Sequence, residues 1–144
     1  MTVTVARVLA SKGSDIWSIA PDATVYEAIA LMAQRGVGAL LVMEGDRLVG
    51  IVSERDYARK VILQDRSSRD TLVSTIMTKD VLSVRPNDSI EGCMALMTEK
   101  HIRHLPVTNG EQVIGILSIG DLVKFIIADR ELLIEQLEGY ITGR

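Results

Sequence analysis

GIVSERD, Gly50 to Asp56, returns downstream as GILSIGD, Gly115 to Asp121, and the reading of this pair decides the fold. Each runs Gly, two aliphatics, Ser, two variable residues and Asp. A serine where a β-branched run ends is a favoured helix N-cap, and an acidic residue in the first turn interacts well with the helix dipole. SxxD after a strand is therefore explained by capping alone. The same geometry also suits a ligand. A helix N-terminus presents unpaired backbone N–H groups that can seat a phosphate oxygen beside the serine hydroxyl. An ionised aspartate accepts through two oxygens, which matches the adjacent hydroxyls of a ribose. The motif leaves two readings open, a cap or a grip on a nucleotide.

Working outward, the twin motifs lie in a repeat. Ile16 to Ile62 aligns with Val81 to Ile127 without a gap at an offset of 65, pairing Pro21 with Pro86, Gly45 with Gly110, Ser53 with Ser118 and Asp56 with Asp121. Ahead of each block VARVLAS (5–11) matches VSTIMTK (73–79) more weakly, at an offset of 68. The first copy thus carries three extra residues (68 − 65) around Lys12 to Asp15.

Each copy reads as strand, helix, strand, strand, helix. Ile16–Ile19 and Val81–Val84 are short apolar strands stopped by the turn signals at Pro21 and Pro86. Thr24 with Glu27 forms a capping box ahead of an apolar face of Val25, Ala28, Ile29 and Met32; Ser89 caps the equivalent helix, with Ile90, Met94 and Met97 as its stripe. Ala39–Met43 with Leu48–Val52, and Leu105–Thr108 with Val113–Leu117, are hairpins turning at Gly45 and Asn109-Gly110. Ser53 and Ser118 then open helices through Tyr57–Ile62 and Leu122–Ile127. After the second copy, Leu133, Leu137 and Ile141, flanked by Ile134 and Tyr140, mark one more amphipathic helix. The expected architecture is α+β, two tandem β-α-β-β-α repeats packed about a pseudo-twofold axis. The boundaries are 5–63 and 73–128 for the repeats, 64–72 for a polar linker and 129–144 for the terminal helix.

Composition excludes several classes of function. The 144 residues are 47% hydrophobic and 24% charged, enough for a real core. A net charge of -3 argues against a general hold on nucleic acid or an anionic membrane. No apolar run approaches the roughly 18 residues of a bilayer span, and the N-terminal stretch lacks the pattern of a signal peptide, so a soluble, cytoplasmic protein is expected. Cys93, the single cysteine, reads as a buried filler. His101 and His104 lack a third partner for a metal, and no nucleophile–base triad or P-loop is present, so neither metal nor catalysis is expected.

The two motifs, together with KHIRHLPV and VSTIMTKDVLSVRP, closely resemble the cystathionine β-synthase (CBS) domain family from Val5 to Ala128. The resemblance implies two clefts between paired repeats, able to hold an adenosyl ligand such as AMP, ADP, ATP, NAD or S-adenosylmethionine. Carried over by position, it implies that Asp56 and Ser53, with Ile51 and Arg55, face Val81, Leu82, Ile102, Arg103 and His104. In the other cleft Ile116, Ser118 and Asp121 would meet Ile16, Trp17, Val37, Gly38 and Ala39. Arg103 becomes the expected phosphate ligand; its counterpart is Gly38, so the clefts are expected to differ. Lys60, Lys100 and Lys124 are further cations that a polyphosphate could meet. Trp17 suits core packing and cleft wall equally. The resemblance further implies a homodimer, two chains joined through helices into a flat disc, and a sensor or regulatory module acting on a separate, unknown partner protein. The alternative is a ligand-free interaction scaffold in which both SxxD motifs only cap helices; an enzyme of unknown chemistry is a weaker third.

Overall fold

A computed structural model describes residues 3–142, with side chains to Gly139. Tyr140 and Ile141, expected on the apolar stripe of the terminal helix, have side chains outside the described set. In the first half, α1 (Val5–Lys12) precedes β1 (Ser18–Ile19), α2 (Val25–Arg35), β2 (Ala39–Glu44), β3 (Arg47–Ser53) and α3 (Glu54–Tyr57), which runs on as a π-helical turn, Ala58–Ile62. The second half has α4 (Val73–Ile76), α5 (Ile90–Lys100), β4 (His104–Asn109), β5 (Gln112–Ser118) and α6 (Ile119–Thr142).

Local chemistry explains most of these boundaries. Thr24 accepts from the Glu27 N–H at 3.2 Å while Glu27 accepts from the Thr24 N–H, the expected capping box at the start of α2. Ser89 caps α5 through the Gly92 N–H at 3.0 Å. Gly36, at φ 67°, ends α2 in the left-handed region, where a missing Cβ removes the strain. The hairpins β2–β3 and β4–β5 turn at Gly45 and Gly110, both at positive φ, and carry irregularities at equivalent places, after Val42 and after Val107.

Several elements differ from the sequence expectation. The first strand shortens to Ser18–Ile19, paired in parallel with β2. Val81–Val84 forms no strand; only Val84 bridges to Val107. The cause lies at the position opposite. In the first half the Leu41 N–H donates to the Trp17 carbonyl at 3.2 Å, but the counterpart of Leu41 is Pro106, which has no N–H to give. That parallel rung is lost, and Leu82 is left facing the surface. The motif helices do open at Ser53 and Ser118, as expected, with α3 starting at Glu54 and α6 at Ile119. The last two expected helices are one: α6 runs unbroken from Ile119 to Thr142, because no Gly or Pro lies between Gly120 in its first turn and Gly139.

Two cores form, and each borrows chain from beyond its own repeat. Val25, Ala28, Met32, Leu40, Val42, Val52 and Val61 pack with Val73 and Ile76 of α4. Val84, Ile90, Cys93, Met97, Leu105, Val107, Leu117 and Leu122 pack with Val3 and with Val5, Val8 and Leu9 of α1. Met32 and Met97 are core residues, as their helical spacing indicates, and Met94 packs partly buried against the second core. Along β2 and β4 successive side chains alternate faces, and Leu41 and Pro106, which point away from these cores, are buried too. The segment expected as a linker is bonded back: Val25 N–H donates to the Thr71 carbonyl and Tyr26 N–H to that of Ser68.

The conserved spacing of the twin motifs also reflects this crossing of chains. A Cβ on Gly50 would stand 2.6 Å from Met77 Sδ and 3.0 Å from the Thr78 carbonyl; one on Gly115 would stand 2.9 Å from a Leu9 methyl. Each glycine gives the segment in front of a repeat room to cross a strand.

Candidate functional site

Both SxxD motifs form caps. Asp56 N–H donates to Ser53 Oγ at 3.2 Å, and Asp56 Oδ2 accepts from the Ser53 N–H at 2.9 Å and from its hydroxyl at 3.1 Å. Ser118 and Asp121 repeat the exchange at 2.9 and 3.0 Å. Capping fixes the carboxylates at the ends of β3 and β5, and each still lines a cavity between the two halves.

The first cavity, about 460 Å³, lies within the roughly 300–1,000 Å³ of small-molecule sites. It gathers every residue expected for the first cleft: Ile51, Ser53, Arg55, Asp56, Val81, Leu82, Ile102, Arg103 and His104. Loss of the parallel rung leaves Val81 and Leu82 as irregular cleft wall, and Thr78 is held beside them by paired backbone bonds with Ile51 at 2.9 and 3.1 Å. Arg59, Asp80, Glu54 and His101 also line it and were missed by the sequence reading. Arg59 follows Arg55 at a spacing of four along one helical segment, a signal that could have found it. Arg55, Arg59 and Arg103 have no carboxylate within ion-pair distance among the described residues, so three guanidiniums stand available to an anion. Asp56 Oδ1 pairs with Lys60 at 3.2 Å, but Lys60 does not line the cavity and donates also to the Ile76 carbonyl at 2.8 Å.

The second cavity, about 340 Å³, is lined by Trp17, Val37, Gly38, Ala39, Ile116, Ser118 and Asp121, as expected. Ile16 is not among its walls: it precedes the first bond to β2, which is made at Trp17. Trp17 serves both roles, packing against the first core and lining the cavity, with the Arg35 guanidinium 4.1 Å above its ring. Lys12, unforeseen, donates to Asp121 Oδ2 and to the Ile116 carbonyl, both at 2.7 Å. Lys124, at the position of Arg59, lines a separate groove of about 440 Å³ between α1 and α6.

Gly38 and His104 touch both clefts and separate them. A Cβ on Gly38 would meet Glu54 Oε1 at 3.0 Å, so a side chain here would have to turn the Glu54 carboxylate aside. Burial pushes the pKa of His104 down, with the Asp121 charge opposing and Lys12 and Arg103 reinforcing. For Asp121 burial acts against ionisation, but bonds from Lys12 and Ser118 outweigh it and hold its pKa below the ordinary value. Burial, then the Asp88 charge, raises Cys93 to about 11, which makes this thiol an inert core filler. No group of three or more His, Cys, Asp or Glu is arranged to hold a metal among the described residues, and no described helix is long and apolar enough to cross a membrane.

Comparison with known proteins places this geometry. Residues 7–63 and 73–128 each match the CBS domain. The mitochondrial CBS domain-containing protein CBSX3 of Arabidopsis thaliana is 40% identical, covering 99% of this chain and 73% of its own. A putative signal-transduction protein with CBS domains from Burkholderia ambifaria superposes with a TM-score of 0.86 at 55% identity, covering 88% of this chain and 96% of its own. The CBS domain pair of protein MJ0100, solved in complex with 5′-methylthioadenosine and S-adenosyl-L-methionine, shares the fold at a TM-score of 0.80, with 19% identity and coverage of 90% and 99%.

Proposed function

The chain belongs to the CBS domain family, and from that membership we propose that it is a regulatory module whose first cleft binds an adenosyl ligand bearing phosphate. The observation that carries this proposal is the gathering of Asp56, an apolar wall and three guanidiniums without ion pairs among the described residues around one cavity open to both halves; Arg55 donates only to the His101 carbonyl, at 3.5 Å. Asp56 accepts from the ribose hydroxyls. Ile51, Val81, Leu82 and Ile102 sandwich the flat purine, and Arg55, Arg59 and Arg103 receive the phosphates as charge-assisted donors. Bound adenosyl compounds in the CBS pair of MJ0100 support the ligand class.

Because the cleft is built from both halves, a ligand shifts their packing to the extent that it binds one arrangement better than another. The output passes to a separate partner protein. Val123, Ile127, Leu133, Ile134 and Leu137 leave a large apolar surface exposed along α6, which supports a homodimer contact on that helix. The proposed compartment is the cytoplasm, where a lone reduced thiol such as Cys93 is ordinary.

Calorimetric titration of the protein with AMP, ATP, NAD and S-adenosylmethionine tests this function. Binding below millimolar concentration, lost in Asp56→Ala, is expected. If none of the four binds in that range, the motifs only cap helices and the scaffold alternative stands.

A further inference from the structure

The two halves treat one carbonyl differently. In the first half the Ile51 carbonyl accepts from the backbone N–H of Thr78 at 2.9 Å, because the chain leaves α4 extended and crosses β3. In the second half the equivalent segment stays helical. The extra residues give α1 another turn, closed by Gly13 at φ 94°, and no backbone N–H reaches Ile116, the counterpart of Ile51. The Lys12 ammonium takes that place at 2.7 Å and binds Asp121 Oδ2 at the same distance.

Lys12 and Lys60 are not equivalent partners of their aspartates. Lys60 pairs with Asp56 Oδ1 but does not line the first cavity. Lys12 lines the second cavity itself. Lys12 and Asp121 are also the two residues common to the second cavity and the α1–α6 groove, so their bond is the partition between those spaces. Asp121 Oδ2 accepts from both the Lys12 ammonium and the Ser118 N–H, so a pair of hydroxyls that takes both carboxylate oxygens meets the ammonium at Oδ2.

We infer that Lys12 is a built-in competitor for the sugar seat of the second cleft, so that a ribose engages both oxygens of Asp121 only by displacing the ammonium that ties α1 to β5 and α6. This inference rests on the proposed adenosyl binding and adds its regulation. The cation paired with the aspartate lines the second cleft, whereas its counterpart does not line the first. Displacement joins the second cleft to the groove holding Arg7 and Lys124, and it releases the last turn of α1 from the second half. Ligand in the second cleft therefore signals through α1, whereas ligand in the first does not touch that contact.

Adenosine is the probe, because it carries the ribose without phosphates that Lys12 could attract. Trp17 lines the second cavity and not the first, so its fluorescence reports the second cleft alone. Lys12→Met keeps the aliphatic stem and removes the ammonium. Losing a charge-assisted competitor is expected to tighten adenosine binding at Trp17 by roughly ten-fold or more. A second measurement, calorimetry in the Asp56→Ala background, is expected to show the same tightening on adding Lys12→Met. Unchanged or weaker adenosine binding in Lys12→Met, with AMP still bound by the wild-type protein, overturns the latch and leaves the proposed function standing. Failure of both proteins to bind adenosine, AMP or ATP at any cleft removes the proposed function and the latch together.

Discussion

Gly50→Ala tests the packing that holds the first cleft open. The added Cβ would stand 2.6 Å from Met77 Sδ, 3.0 Å from Met77 Cγ and 3.0 Å from the Thr78 carbonyl oxygen. The thioether can rotate aside, but the Thr78 backbone is pinned by two hydrogen bonds to Ile51 at 2.9 and 3.1 Å. Overpacking a filled site costs about 1–3 kcal/mol, and each weakened backbone bond adds about 0.5–1.5 kcal/mol. A destabilisation of roughly 2–6 kcal/mol follows when overpacking is combined with weakening of both bonds. Gly115→Ala meets only Leu9 methyl groups, at 2.9 and 3.1 Å, at the free end of a side chain. About 1 kcal/mol is expected there, the low end of the overpacking range. Urea denaturation of both variants gives the comparison, with the m-value checking that the denatured state is unchanged. Because Thr78 lines the first cavity, Gly50→Ala should also weaken AMP binding. Equal losses of stability, or a larger loss for Gly115→Ala, would refute the claim that backbone crossing rather than side-chain crowding demands the first glycine.

Arg103→Ala and Arg59→Ala are each expected to weaken ATP binding roughly ten-fold by calorimetry while leaving adenosine nearly unchanged, since each removes a charge-assisted phosphate contact. In pH-dependent denaturation, His104 favours its neutral form in the fold. Its folded pKa lies below the ordinary 6.5, so its stabilisation is whole above 6.5 and falls as pH drops through the folded value. His104→Gln should flatten that part of the profile. Asp121, with a folded pKa below its ordinary 3.8, contributes stability above that value and loses it on further acidification. Ile134→Asp with Leu137→Asp should convert a dimer to monomer by light scattering; a wild-type monomer at micromolar concentration would sink the proposed α6 contact.

The repeat, both hairpins and the caps are legible in the sequence because each depends on short-range chemistry or on position within the repeat, whereas the nine residues expected for the first cleft followed from the resemblance to the CBS family. What was hidden depended on contacts across the chain. Val81–Val84 has strand composition, but its pairing fails at Pro106, and that is visible only when the two halves are laid rung against rung. Lys12 and Asp121 are far apart in sequence, and no local pattern links them. The three extra residues marked the place, though not its effect, which is one more helical turn and an ammonium inside the second cleft. Arg59 escaped for a simpler reason: an exposed cation on a helix is ordinarily solvated, and only the cavity distinguishes it.

The exchange of segments between the cores bears on how the chain acquires its structure. Val3, Val5, Val8 and Leu9 are synthesised about a hundred residues before their partners Leu105, Leu117 and Leu122. This apolar segment must therefore wait while the first repeat and most of the second are made. The first core has no such delay, because α4 follows it directly. Folding should be vectorial, with the first half closing early and the second later, slowed by its long-range closure. Cutting the gene between the repeats would leave one fragment with an orphaned helix and the other with an unroofed sheet, so heritable change has to act on the pair as one unit.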